Sequence, residues 1–495
     1  MAHAVLAGYE PAATLAYFEE ICAIPHVSGD ERALADYVET FARARGLYVY
    51  RDAADNVFIR REASTGYASA PTVLLQGHLD MVGEKTSDSL HDFATDGLCL
   101  RVSPDGWISA TDTTLGGDDG IAVAMMLALL DSPPEPHPAM ECLFTVSEEV
   151  GLEGAWAFDP TAAGVTARTM INLDSENEGV LTAGCAGGMR TDIRLPVTTE
   201  PAPADTTALS VCLSGLSGGH SGVEIHEGHT NAIKLLARLL RALPDARLCT
   251  IMGGGKDNAI PRDATAVLLV SSSRAAAAKS TLLAEAERVR TEPHLMAVDR
   301  RFVCTVDDVP TPAICLDASS DSAVRALLDH ARDGVLAMNA HVKGLVAYSR
   351  NLGVVQTQTS GDIPTDVRFT LSTRSAVEGH LDDAERELDS LASLIPGATA
   401  THRARYPGWN YAPVSPLRDL WTTVSQDLYG VTPHIEVIHA GLECGILSAK
   451  LPGMDIISVG PDMQDIHTPT ERLSIPSVER TQRLVEEVIR RLAAR

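Results

Sequence analysis

The chain has 495 residues, 45% hydrophobic and 21% charged, with a formal net charge of -26. This balance excludes wholesale disorder, and the length predicts two or three domains rather than one core. The acidic excess argues against nucleic acid or an anionic membrane as partner, since both would be repelled.

The opening MAHAVLAGYEP has neither a charged lead nor a sustained apolar run, so no signal peptide is expected. No stretch of about 18 apolar residues occurs. Nine cysteines stand singly without a CxxC pair, which suits a reducing compartment, and a cytoplasmic protein is expected. Apolar spacing predicts a helix over 12–22, ended by Pro25. Asp30 reads as the N-cap of a second helix running to about Arg45 and stopped by Gly46. Residues 49–59 alternate around Asp55-Asn56 and predict a hairpin or a pair of edge strands. A short buried strand at 72–75 leads into Gln76-Gly77-His78-Leu79-Asp80, and GGDDG (116–120) opens an apolar helix over 121–130. Asp118 and Asp119 therefore sit at a helix start. A strand over 142–146 delivers Ser147, Glu148 and Glu149 at its carboxyl end, and another over 169–173 ends in Asp174. Strands alternating with helices predict an α/β domain, a largely parallel sheet with helices on both faces.

At GCAGG (184–188) the pattern changes to strands and helices of an α+β kind, with glycine-rich loops at 215–222 (GLSGGHSG) and 253–262 (GGGKDNAIPR). Helices are predicted over 231–243 and 275–289, whereas 291–313 has no legible pattern. After YPGW (406–409) the alternation resumes with a helix over 415–428, a turn at 439–445 (HAGLECG), a strand over 454–459 and a last helix from Ser477. DIHTP (465–469) lies between that strand and helix. The expected organisation is a catalytic domain from 1–188 and 405–495, interrupted by an inserted domain over 189–404.

Singly, a histidine at a strand end is more often structural than a ligand, and an aspartate at a helix start is usually a cap. Jointly, His78, Asp118, Glu148, Glu149, Asp174 and His467 fall at strand ends or a helix start. In a parallel sheet those points share the edge where ligands gather. Two adjacent glutamates withdrawn from water need a compensating charge, and a metal ion supplies it. Histidine and carboxylate without thiolate suits zinc, manganese or cobalt in a hydrolytic centre. Two ions need a bridging carboxylate, which Asp118 or Asp119 could provide. Asp80, two residues past His78, is placed to hold the second ring nitrogen of a ligating histidine. Glu148 then remains as general base.

These motifs resemble the aminoacyl-histidine dipeptidases, or cytosolic non-specific dipeptidases, within the two-zinc aminoacylase and carboxypeptidase-like metallopeptidases. The residues that carry the resemblance run from end to end. They are QGHLDMV (76–82), TTLGGDDGI (113–121), SEEVGLEGA (147–155), NLDSENEG (172–179), GCAGG (184–188), GGHSGVEIH (218–226), NAIPR (258–262), YPGW (406–409), HAGLECG (439–445) and IHTPTE (466–471). The chain departs from the family in having Asp118-Asp119 where Asp-Asn is usual, and IHTPTE where HSPDE is commoner.

The resemblance implies two divalent ions, zinc in first place, with His78 and Asp174 on one, Glu149 and His467 on the other, and Asp118 bridging. It implies Asp80 as the group orienting His78, Glu148 as the base, and His220 as a donor from an inserted lid to the tetrahedral oxyanion. It further implies Asn258 and Arg374 as substrate-holding groups, Gly441 as part of the pocket wall, dipeptides including β-alanyl-histidine as substrates, and a homodimer. His226, His229 and His439 read as structural. The alternatives are an N-acyl amino acid deacylase or carboxypeptidase on the same centre, and a silent binding scaffold.

Overall fold

The computed structural model describes residues 5–293, 295–339 and 344–494. The first four residues of the stretch read for a signal peptide lie outside these, as does residue 294 within 291–313. The chain divides into two compact units. One comprises the chain through Cys185, Trp409–Val437 and the residues from Leu442. The other comprises Ala186–Gly408 and Ile438–Gly441.

The first unit is built on an eight-stranded sheet in the order Tyr48–Arg51, Val57–Arg61, Met140–Thr145, Val73–His78, Thr169–Asn172, Asp455–Ser458, Val180–Cys185, His434–Ile438. The four central strands are mutually parallel. The hairpin of Tyr48–Arg51 and Val57–Arg61 joins antiparallel on one side, and Val180–Cys185 does so on the other. The sheet is thus mixed where the sequence pattern predicts a largely parallel one. Short turns permit only antiparallel neighbours, whereas each parallel pair needs a crossover.

Val73 and Leu75 join a cluster with Phe18, Leu34, Ile121 and Val485, contributed by four helices. Leu74, between them, is equally buried on the opposite face, as strand alternation requires. The helix Gly117–Asp131 is buried along its length up to Leu130, which explains why its sequence is apolar on every side rather than amphipathic. The predicted cap at Asp30 does not form; the second helix spans Arg32–Ala44 and has no side-chain cap. The preceding residue, Glu31, turns inward instead. Because the central strands are parallel, their carboxyl ends lie along one edge, and His78, the Ser147–Glu149 turn and Asp174 follow from that edge.

The second unit holds a nine-stranded sheet whose pairs are antiparallel, with Val303–Val309 at one edge and Thr399–Tyr406 at the other. Helices Ala232–Leu240, Ala275–Arg290, Ala318–His330 and Glu378–Ser393 supply Leu236, Leu282, Val324 and Leu388 to the core over it. The unread segment 291–313 provides that edge strand, in which Cys304 alone is buried. An edge strand with one buried side chain carries no apolar period. Among the described residues no helix is long and apolar enough to cross a membrane.

Candidate metal centre

His78 ends the central strand Val73–His78 and is buried. A Cβ on its neighbour Gly77 would stand 2.5 Å from Asp119 Oδ2, so only glycine admits that carboxylate. Asp118 and Asp119 open the helix with non-helical backbone angles, and the peptide between them is cis. Asp118 offers one oxygen to each of two histidines. Its Oδ1 lies 3.0 Å from His78 Nε2, and its Oδ2 lies 3.2 Å from His467 Nε2. Asp174 Oδ1 stands 3.5 Å from the same nitrogen of His78, and Glu149 Oε1 stands 2.7 Å from that of His467.

His78, Asp118 and Glu149 place ligand atoms within 4.8 Å of one another, and so do His78, Asp119 and Asp174. Glu148 belongs to neither group. Ser147 and His467 have φ of 52° and 60°, left-handed values that non-glycine residues keep only where the surroundings impose them.

The supports are mostly carboxylates acting on backbone. His78 Nδ1 is 2.9 Å from the Asp80 main-chain oxygen and 3.4 Å from its Oδ1, so the carbonyl rather than the predicted carboxylate is the nearer partner. The Asp80 carboxylate is drawn instead to the N–H groups of Glu148 at 2.9 Å and Glu149 at 3.2 Å, and to the Ser28 hydroxyl at 2.8 Å. Asp80 thereby ties His78 to the glutamate turn. Glu31 accepts both the N–H and the hydroxyl of Ser147 at 3.0 Å. Glu471 accepts the N–H groups of Leu115, Gly116, Gly117 and Asp118 at 2.7, 3.1, 2.8 and 3.4 Å, clamping the loop that presents Asp118.

Behind the sheet edge, Glu443 accepts from Gln76 and Thr145 at 2.6 Å each, and Gln76 accepts from Asn172 at 2.7 Å. Sequence reasoning missed Glu31, Glu471 and Glu443. The available signals were the final glutamate of IHTPTE and a glutamate opening the apolar run LECGIL.

Burial dominates the electrostatics. It pushes Glu148 and Asp119 well above the carboxylate range, Asp174 up to about 6 and Glu176 up to about 7. For His78 burial opposes the charged form, but hydrogen bonds to Asp118, Asp174 and Asp80 prevail and hold it well above its usual value. Hydrogen bonds to Asp118 and Glu149 raise His467 to about 10. Asp118 is held low, its burial outweighed by its bonds from His467 and His78. Negative charge is therefore in excess around two imidazoles. Asp119 Oδ1 is buried and, among the described residues, has no hydrogen-bond partner. Two imidazole nitrogens, clustered carboxylates and no thiolate fit borderline divalent cations.

In the second unit the predicted residues His220, Arg374 and Gly441 share one neighbourhood, and Asn258 is nearby in the chain fold. A Cβ on Gly222 would fall 2.9 Å from His220 Cε1 and 3.2 Å from Arg374 Nε. His220 Nδ1 receives the N–H groups of Gly222 at 3.2 Å and Val223 at 3.1 Å, which fixes its proton on Nε2. Burial, then the Arg374 charge, lowers its pKa, so the ring is neutral.

Arg374 is buried, bonds the Tyr406 hydroxyl at 3.0 Å, and has no carboxylate partner among the described residues. Its Nε is buried and, among the described residues, unbonded. A Cβ on Gly441 would meet Tyr406 at 2.8 Å. His439, read as structural, bonds Ser349 at 2.7 Å. Asn258 is exposed, and its main-chain oxygen holds the Ser221 N–H at 2.9 Å.

Residues 212–294 match the family described as a peptidase dimerisation domain. The chain is 37% identical over 481 residues to the cytosol non-specific dipeptidase of Escherichia coli K12, across 97% of both chains. The crystal structure of aminoacylhistidine dipeptidase from Vibrio alginolyticus aligns with a TM-score of 0.91 at 34% identity over 98% of each chain. Aminopeptidase PepT from Bacillus cereus, at 16% identity and a TM-score of 0.59 over 98% of each chain, shares the fold. Fold and donor set together define an α/β metallopeptidase. Within that class, this chain belongs to the cytosol non-specific dipeptidase family.

Proposed function

We propose that this chain hydrolyses unblocked dipeptides at a centre of two divalent ions, and that dipeptides ending in histidine, β-alanyl-histidine among them, lie in its range. The observation that carries the reading is Asp118, which turns one oxygen toward His78 beside Asp174 and the other toward His467 beside Glu149. His78 and Asp174 would hold one ion, His467 and Glu149 the other, with Asp118 rather than Asp119 between them. The raised carboxyl of Asp119, already engaged by the His78 N–H at 3.2 Å, supports that choice. When bound, the ions polarise the scissile carbonyl and acidify the attacking water; zinc suits the donors best, with manganese or cobalt as alternatives.

Glu148, outside both ligand groups, takes the proton from the attacking water and returns it to the leaving amine. Burial raises its pKa, which makes it a stronger proton acceptor than an exposed glutamate. Asp80 positions His78 and the glutamate turn. His220, with its proton on Nε2, is the donor to the oxyanion. Arg374, a buried guanidinium lacking a carboxylate, receives the substrate's terminal carboxylate, with Asn258 and the Gly441 wall completing the pocket.

The inserted residues act as lid and dimerisation domain of a homodimer, a reading supported by the family match over 212–294. A cytoplasmic location is supported by the cytosolic relative and by nine free cysteines. The test is hydrolysis of β-alanyl-histidine, plain dipeptides and N-acetyl amino acids by metal-loaded wild type and Glu148→Ala. Dipeptide cleavage abolished by chelation and by the substitution is expected. Turnover of the acetylated compounds alone would replace the reading with a deacylase.

A further inference from the structure

Outside the residues assigned above, one cluster in the second unit is arranged as a ligand set. Glu224, Glu227 and His229 each offer an atom, all within 4.8 Å of one another. Three acidic or imidazole groups near a surface mean little alone, but the state of His229 is specific. The Ser217 hydroxyl donates to Asp299 Oδ1 at 2.7 Å, so its oxygen accepts from His229 Nδ1, also at 2.7 Å. Asp299 is itself fixed by the N–H groups of Ser217 at 2.8 Å and Thr230 at 2.7 Å. Nδ1 therefore carries a proton, and Nε2 is the ring nitrogen left to face an ion.

That Nε2 is buried and, among the described residues, makes no hydrogen bond, in a side chain only 10% exposed. It faces Glu227 Oε2 at 3.4 Å without the alignment of a hydrogen bond. The space beside it is kept open by Gly219, where a Cβ would lie 3.1 Å from Glu224 Oε2 and 3.3 Å from His229 Nε2. A histidine whose far nitrogen is anchored through a hydroxyl to a carboxylate, and whose near nitrogen meets two carboxylates, has the construction of a metal ligand with its supporting shell.

We propose that Glu224, Glu227 and His229 form a further divalent-cation site, selective for zinc-class ions over magnesium or calcium because of its imidazole. Glu224 also accepts the His220 backbone N–H, four residues earlier. An ion here pins the loop that carries His220. The site is thus a device for ordering that loop.

The experiment is equilibrium dialysis of the full chain against Zn2+, with bound metal counted by mass spectrometry, for wild type, His229→Gln and Glu227→Lys. Each variant is expected to bind one ion fewer per chain than wild type. The difference reads one whatever number the Asp118 centre takes, so failure of the two-ion reading leaves this test intact. Zn2+ is also expected to slow amide exchange at His220 and Val223 in wild type and not in Glu227→Lys. Glu227 is exposed, so its replacement leaves the fold intact even if His229→Gln disturbs the Ser217–Asp299 network. An equal ion count in wild type and Glu227→Lys would overturn the proposal.

Discussion

The sheet edge of the first unit and the His220 neighbourhood of the second are built with opposite charge logic. Around Asp118 the chain gathers carboxylates at strand ends and a helix start, and fixes them with further carboxylates, Glu31, Asp80 and Glu471, that grip backbone N–H groups. Around His220 it gathers the Arg374 guanidinium, from the strand Ile363–Ser375, and neutral histidines. The first arrangement holds like charges together and suits a cation. In the proposed function the second serves as an anion site, for a substrate carboxylate and a developing oxyanion.

The largest effect should come from removing the shared element of the first region. Asp118→Ala takes an oxygen from both histidine groups. It is expected to lose both ions on dialysis and to lower kcat/KM by about 10⁴-fold or more, read by metal analysis and steady-state kinetics. Glu148→Gln should separate chemistry from binding, lowering kcat about 10²- to 10⁴-fold while the ion count stays at the wild-type value. In the second region, Arg374→Ala is expected to raise KM for dipeptides by about 10- to 100-fold, the equivalent of one lost charge-assisted pair, and to spare dipeptide amides, which lack the carboxylate. Glu471→Gln touches no ion in this account, and weakening its four-fold grip should lower metal affinity by about 10-fold, measured by competition with a chelator.

The smallest effect concerns pH. Burial, then the Arg374 charge, pushes His439 down to about 3. Between about 6.5 and that value the unfolded chain binds a proton that the folded chain refuses. Stability from this residue is therefore complete above about pH 6.5 and is lost progressively as pH falls toward 3. His439→Gln should flatten the decline of the unfolding midpoint between pH 7 and 5.

How far each region was readable follows from the same contrast. His78, Asp174 and the glutamate turn could be located because apolar runs and glycines mark strand ends. The residues themselves left Asp118 and Asp119 open as the bridge, since adjacent aspartates differ only in where the backbone aims them, and the family resemblance alone favoured Asp118. Glu31 was invisible because a carboxylate that grips distant N–H groups looks in sequence like any surface glutamate, and Glu471 showed only as the last residue of the IHTPTE motif. Asp80 was assigned to His78 through its side chain, yet its carbonyl is nearer, a distinction no residue type encodes. The antiparallel flanks of the first sheet depend on long-range pairing. The edge strand Val303–Val309 buries too little to show a period.

The most direct measurement is a crystal structure of the zinc-loaded protein with anomalous difference density at the zinc edge. The account predicts two peaks flanking the Asp118 carboxylate, one beside His78 and Asp174 and one beside His467 and Glu149. A single peak there, or two peaks bridged by Asp119, would contradict it.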